Sequence, residues 1–290
     1  MALTMEEKQI RRDRIGASEL AAILGVSSYV TPWQIWADKT QQLEDWQGNE
    51  ATRLGSLIER SILDYAEEEL GAMQRNVRVL HAQLPLAATL DGQLIANAVP
   101  IEAKTTGLVG QVNPGFGEAG TDDLPYEYLV QVHAQLMCTK ADLAYLFALI
   151  PGRGVVQYRV ERNEQLAEKL GNYLDSWWTK HIVQRIEPAN ENVPLEIVKR
   201  MKRVPDKIVM LDEHALSLAT HIERMKEIRL DTQKRIDASE TQLLLALGDA
   251  EAGQLPDGRL VTYYEQTRKP RMVEGCSFRV LRVQKAKVNK

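Results

Sequence analysis

LAATLDGQLIANAVPIEAKT, residues 86–105, is the stretch on which both the fold and the chemistry turn. Leu86 to Leu90 and Val99 to Thr105 have strand character, and Val77 to Leu80 precedes them behind Pro85. Asp91-Gly92 and Asn97 supply the breaks, so the three segments read as antiparallel neighbours. Side chains alternate along a strand, which puts Glu102 and Lys104 on one face and turns Ala103 to the other. Pro100 has no ladder donor, so its strand either lies at an edge or begins there.

Outward from this centre the pattern stays mixed. Downstream, Tyr126 to Thr139 returns to helical spacing, followed by an apolar strand from Leu143 to Ile150. A Pro151-Gly152-Arg153-Gly154 turn then leads into Val155 to Val160 as a hairpin, and Asn163 to Gln184 is an amphipathic helix. Upstream, a helix over Arg53 to Leu70 ends at Gly71. Thr31-Pro32 opens a shorter helix carrying Trp33, Ile35 and Trp36, and Gly16 to Leu24 is a helix capped by Ser18 or by the preceding turn. Beyond Pro188 the composition changes. Pro194 and Pro205 mark a linker, Asp212 to Leu247 is a long helix or helical pair, and Gly253 to Lys290 is strand-rich. The expected class is α/β (α+β), with a core at 1–188, a linker and helical segment at 189–250, and a small basic tail at 251–290.

Composition narrows the function. The 290 residues, 44% hydrophobic and 26% charged, suit a soluble globular chain with a real core. The longest apolar runs, Leu143 to Pro151 and Leu243 to Leu247, fall far short of the roughly 20 residues of a membrane-spanning helix. Met1 to Ile10 lacks the apolar stretch of a secretory signal, so no membrane association and a cytoplasmic location are expected. Cys138 and Cys276 have no metal-ligand spacing, and no two of the five histidines pair at ligand spacing. Any metal should therefore be held by oxygen. The net charge of −4 is unlike that of a nucleic-acid binder, but the cations collect at Lys8 to Arg14, Lys199 to Arg203 and Arg268 to Lys290, where Glu274 is the only acid.

Asp91 followed eleven residues later by Glu102-Ala103-Lys104 is the Asp, then Glu-x-Lys, arrangement of metal-dependent nucleases. Phosphodiester cleavage needs a hard cation held by oxygens, a nucleophilic water, and compensation of charge developing on phosphorus. Asp91, Glu102 and the Ala103 carbonyl would hold magnesium, and Lys104 would sit beside the attacking water. Alternatively, Asp91-Gly92 is a hairpin turn and Glu102 and Lys104 form a solvated strand face. Glu59 lies beside Ile62 and Leu63 on its helix, where a carboxylate is costly unless it is paired, for example with Arg53, or binds a cation. Tyr128, Gln131 and Gln135 form one helical stripe, from which Gln131 could reach the catalytic water or Lys104, or which is simply an exposed polar face.

Arg11, Ile15-Gly16-Ala17-Ser18, Thr31-Pro32-Trp33, Gly55 to Glu59, Asp91-Gly92, Glu102-Ala103-Lys104 and Tyr128 to Gln131, in that order, resemble the YqaJ-type viral recombinase / lambda exonuclease family of the PD-(D/E)XK nuclease superfamily. The resemblance covers roughly Arg11 to Arg185. It implies a restriction-endonuclease-like fold, a mixed central sheet flanked by helices, with a helical C-terminal extension here. It also implies a magnesium-dependent 5′-to-3′ exonuclease acting on double-stranded DNA ends, with manganese as a substitute and two ions at the site. On this resemblance Asp91, Glu102 and Glu59 serve the metals, Lys104 is the catalytic lysine and Gln131 the active-site glutamine. Arg11 and Ser18 lie near the 5′ phosphate, with Arg12 or Arg14 able to replace Arg11. A single-strand annealing protein and a homo-oligomeric ring, trimeric or tetrameric, are implied as partners, and a ring tolerates an acidic exterior if its channel is basic. A structure- or site-specific endonuclease and a non-catalytic DNA-binding scaffold are the alternatives. An iron–sulfur nuclease is disfavoured by the two cysteines.

Overall fold

The computed structural model describes residues 5–45, 48, 50–106, 115–190 and 192–267. In chain order the elements of its first part are α1 (Met5–Asp13), β1 (Ile15–Gly16), α2 (Ala17–Ile23), α3 (Pro32–Lys39), α4 (Glu50–Leu70), β2 (Met73–Leu80), β3 (Leu86–Leu94) and β4 (Pro100–Thr105). They continue with α5 (Tyr126–Thr139), β5 (Leu143–Ile150), β6 (Gly154–Glu161), α6 (Glu164–Trp178), a π-helical turn (Thr179–Val183) and α7 (Leu195–Lys199). β1 to β6 form one mixed sheet in which β3 and β4 are antiparallel, β4 and β5 parallel, and β5 and β6 an antiparallel hairpin. Helices cover both faces, as expected of a mixed sheet flanked by helices.

The two faces follow from alternation on the central strands. Ala144, Leu146 and Ala148 of β5 pack with Val132 and Leu136 of α5, whereas Phe147, between them in sequence, packs with Ile62, Leu63 and Ala66 of α4. α5 is enclosed between helices and sheet: Val130, Ala134 and Met137 lie in the cluster shared with α2 and α6 while Val132 and Leu136 meet the sheet. A helix so placed must be apolar all round, and buried polar groups on it need partners. Each fully buried Leu, Ile or Phe contributes roughly 1.5–3 kcal/mol to holding these layers together.

Several boundaries differ from the sequence expectation. β3 does not stop at Leu90 but runs through Asp91-Gly92, and the chain reverses at residues 95–98 with Ala98 at φ 58°. Gly92 marks a close approach rather than a turn, since a Cβ there would lie 2.6 Å from the Met73 sulfur and 3.3 Å from Ile101 Cβ. Pro100 opens β4, which lies between β3 and β5, so its missing donor falls at a strand start and not at an edge. β2 begins at Met73 and α4 at Glu50. α2 is capped at Gly16, whose N–H donates to Glu19 Oε2 at 2.7 Å; exposed Ser18 plays no part.

The chain divides into two compact units, residues 1–203 and 204–290. Residues 189–203, read as linker, belong to the first: Val193, Ile197 and Met201 pack on its core and Leu43 bridges to Met201. In the second unit α8 (Glu213–Leu247) is one unbroken helix of 35 residues, capped by Asp212 Oδ1 accepting from the Ala215 N–H. A short hairpin follows, β7 (Ala252–Gln254) with β8 (Leu260–Thr262). The rest of the expected strand-rich tail, Arg268 to Lys290, lies outside the described residues. No helix among the described residues is long and apolar enough to cross a membrane.

Candidate active site

β3 and β4 pair only where Gly92 faces Ile101 and Gln93 faces Pro100. Continued by one step, that register sets Asp91 opposite Glu102. By the next step the Ala103 N–H should reach the Leu90 carbonyl, but it donates instead to Asp91 Oδ2 at 2.8 Å. The aspartate side chain thus takes over a ladder bond and the strands part beyond it. Local geometry favours this. Leu86, Ala88 and Leu90 pack towards α2 and α5, whereas Gly92 and Leu94 meet the cluster under α4, so the side-chain alternation is interrupted at Asp91. Asn76, on β2 across from Asp91, sits at φ 55°. The N–H and C=O of one strand residue point to the same edge, so the Ala103 carbonyl also faces the opened seam.

Into this seam the structure brings four of the expected side chains. Lys104 Nζ lies 2.5 Å from Glu102 Oε1 and 5.2 Å from the centre of the Tyr128 ring. Gln131 Nε2 donates to Glu102 Oε1 at 2.5 Å, and Gln135 Nε2 donates to Glu102 Oε2. Glu102 is only 2% exposed, so without these donors its charge would be prohibitively costly there. The polar stripe of α5 is therefore inward, and the solvated alternative for the stripe and the strand face does not hold.

The electrostatics mark the seam as crowded with acid. Burial first, and then the Glu102 charge, hold Asp91 well above the ordinary aspartate value, against the opposing effects of Lys104 and the Ala103 N–H. Glu59 at the α4 surface of the seam is raised by burial and by Glu102, with Lys104 opposing. Burial works against the Lys104 ammonium, but Glu102 and Asp91 outweigh it and the amine titrates above an ordinary lysine. Arg53, the alternative partner for Glu59, is instead engaged by Glu50 at 2.7 and 2.9 Å.

Among the described residues no three His, Cys, Asp or Glu side chains form a metal cage. What exists is a carboxylate pair, Asp91 and Glu102, beside a strand carbonyl, with Glu59 near enough to raise Asp91 and to be raised by Glu102. That donor set fits magnesium, which keeps several waters and is bound through one or two carboxylates together with substrate phosphate. The mutual repulsion that raises Asp91 is what a divalent cation would relieve.

The DNA-binding candidates separate. β2 occupies one edge of β3 along its length, so β1 and β4 share the other, with Gly16 facing Ala87 and the open seam between. Four residues of strand, about 13 Å, separate that level from Asp91. Exposed Ser18 and Arg11 lie at this end, Arg11 3.7 Å from Glu19. Arg14 is committed elsewhere, donating to the carbonyls of His81, Leu84 and Leu86 at 3.1–3.4 Å. Two positions carry contacts that sequence reasoning did not assign, Gln135 although it was named in the stripe and Lys39 altogether. Gln135 holds the second Glu102 oxygen, which its shared stripe with Gln131 could have signalled. Lys39, 6% exposed, donates to Glu19 at 2.5 Å and to the Arg11 carbonyl at 2.6 Å, and nothing in its local sequence announces this.

The chain is 27% identical over 185 residues to the uncharacterized protein YqaJ of Bacillus subtilis (strain 168), an overlap of 62% of this chain and 56% of that protein, so the chain spans little more than half of that relative. Solved structures similar to it include an alkaline exonuclease from Laribacter hongkongensis (16% identity, 62% of this chain and 94% of that one, TM-score 0.49). A phage-related exonuclease from Haemophilus somnus 129PT is also similar (14% identity, 60% and 96%, TM-score 0.46). The YqaJ-like viral recombinase domain model matches residues 8–142, which hold β1, α4, β3, β4 and α5 and hence every side chain of the seam, so the seam lies within the stretch that is similar to that family.

Proposed function

We propose that the chain is a magnesium-dependent deoxyribonuclease that digests double-stranded DNA from its ends in the 5′-to-3′ direction, leaving 3′ single-stranded tails for recombination by strand annealing. The observation that carries the nuclease reading is the meeting of Asp91 with Glu102 and Lys104 where β3 and β4 part. The viral-recombinase family supports the role in recombination; polarity, a ring of subunits, an annealing partner and an intracellular setting rest on the family resemblance.

Asp91, Glu102 and the Ala103 carbonyl would hold the first cation, and Glu59 would serve a second. When bound, the cation supplies an acidified water and neutralises charge on the scissile phosphate. Lys104 stays protonated between two carboxylates and acts as a fixed positive charge, stabilising the hydroxide and the pentavalent phosphorus rather than removing a proton. The Tyr128 ring limits where the ammonium can move. Gln131 holds Glu102 in place. Arg11 and Ser18, at the far end of the seam, would meet the 5′ phosphate; Arg14 would have to leave three carbonyls to do so.

Linear and covalently closed duplex DNA, each with magnesium or EDTA, distinguish the readings. The wild type should degrade only the linear form and only with magnesium, and Lys104→Ala should lose about 10²–10³-fold in rate. Nicking of the closed circle would replace the exonuclease with an endonuclease, and no digestion at all would leave a DNA-binding scaffold.

A further inference from the structure

Glu102 is held by three donors unevenly divided between its oxygens. Lys104 and Gln131 both engage Oε1, whereas Oε2 receives Gln135 alone. A carboxylate has about four acceptor positions, two on each oxygen. Oε1 is therefore filled, and Oε2 keeps one position open. Gln135 is fully buried and its own Oε1 has no partner, a cost to folding that an apolar side chain of similar size would avoid. A residue that weakens the core while gripping one oxygen of a candidate metal ligand is better explained by what it does to that ligand.

We propose that Gln135 is a positioning residue that fixes Glu102 to offer a single coordination position through Oε2, and that this selects magnesium over calcium. The inference rests on the metal-dependent reading of the seam. Magnesium demands near-octahedral geometry at about 2.0–2.1 Å, whereas calcium accepts one- or two-oxygen carboxylates at about 2.3–2.6 Å. A clamped carboxylate that cannot rotate to present both oxygens suits the smaller ion, and releasing Oε2 frees Glu102 to turn towards the arrangement calcium tolerates. Gln131 differs in this respect, because Oε1 remains held by Lys104 when its amide is removed.

The test is a titration of the full chain with magnesium chloride and, separately, calcium chloride, reading the rise in Tm without DNA. In Gln135→Met the metal-free Tm should fall, because Glu102 Oε2 loses its donor, so each variant's metal response is read as the rise above its own metal-free Tm. The magnesium midpoint should rise about 10–100-fold, the usual effect of losing a group that orients a metal ligand, and the calcium midpoint should stay put or fall. Gln131→Met should shift the magnesium midpoint less. Gln135→Asn keeps an amide in the same space but ends one methylene short of Glu102; it should move magnesium in the same direction, and it serves if the methionine variant does not fold. An unchanged magnesium-to-calcium ratio in either Gln135 variant, with a normal wild-type response, overturns the positioning role alone. A wild type whose Tm ignores magnesium overturns the metal reading itself and the inference with it.

Discussion

At the scale of single residues, the seam gives up stability for a site. Asp91 and Glu59 are both raised above ordinary carboxyl values, with burial the first cause in each. A carboxyl raised on folding contributes fully below its unfolded value, about 3.9 for Asp and 4.3 for Glu, and that contribution is lost as pH climbs through the folded value. Without metal, Asp91→Asn should therefore match the wild type in acid and become more stable than it, by something on the order of 1 kcal/mol, as the pH rises to neutral. The asparagine can still accept from the Ala103 N–H, so the change is chiefly one of charge. Urea midpoints across the pH range check this, and parallel profiles for the two proteins would mean that the Asp91 charge is not strained. The same variant should lose any magnesium-dependent rise in Tm. Glu102 and Lys104 were legible in the sequence because a two-residue spacing on a strand fixes a shared face whatever lies around it. Which residues enclose them was not, because Gln131 and Gln135 look alike on a helical wheel whether the stripe faces water or a buried carboxylate.

At the scale of elements, legibility followed periodicity. α5, β5, β6 and α6 each carry a clean repeat and fell close to their expected bounds. Asp91-Gly92 misled, since a pair of turn residues carries the same local signal whether the chain reverses or merely kinks beside a partner strand. The cap of α2 stayed open between Ser18 and the preceding turn for a related reason. Its cap is made by Glu19, three residues into the helix, reaching back to the Gly16 N–H, and that same carboxylate receives the buried Lys39 ammonium from α3. One side chain thus ties the α1–β1 turn, the start of α2 and the end of α3 together at the far end of the seam. Replacing it leaves a buried ammonium with only the Arg11 carbonyl. Glu19→Ala should cost about 3 kcal/mol, and Glu19→Gln, which keeps both hydrogen bonds possible, distinctly less. Urea unfolding measures both. Equal losses would mean that the charge of Glu19, rather than its hydrogen bonds or the packing of its stem, is what α2 and α3 require.

At the scale of the whole molecule, the proposed nuclease function requires an acidic chain to meet DNA. Residues 268–290 carry eight Lys and Arg against Glu274 alone, a net +7, while the chain as a whole is −4, which leaves the remaining residues at −11. A body so acidic repels a polyanion, and the Debye length of about 8 Å at physiological salt confines that repulsion to close approach. On that reading the opposing attraction comes from cations concentrated where DNA passes, and in sequence the largest such group is this tail. If about half of its eight cations reach phosphates, each releases a counterion and steepens the fall of log K with log salt by about 0.9. A chain ending at Thr267 should therefore bind duplex DNA with a slope shallower by about 3 to 4 than the full chain. Cleavage chemistry at saturating DNA should be little changed, since every side chain of the seam lies within residues 8–142. Superimposable slopes would assign the tail to a protein partner and place the DNA contacts on the catalytic unit, where Lys199 to Arg203 and Arg11 to Arg14 are the remaining basic clusters.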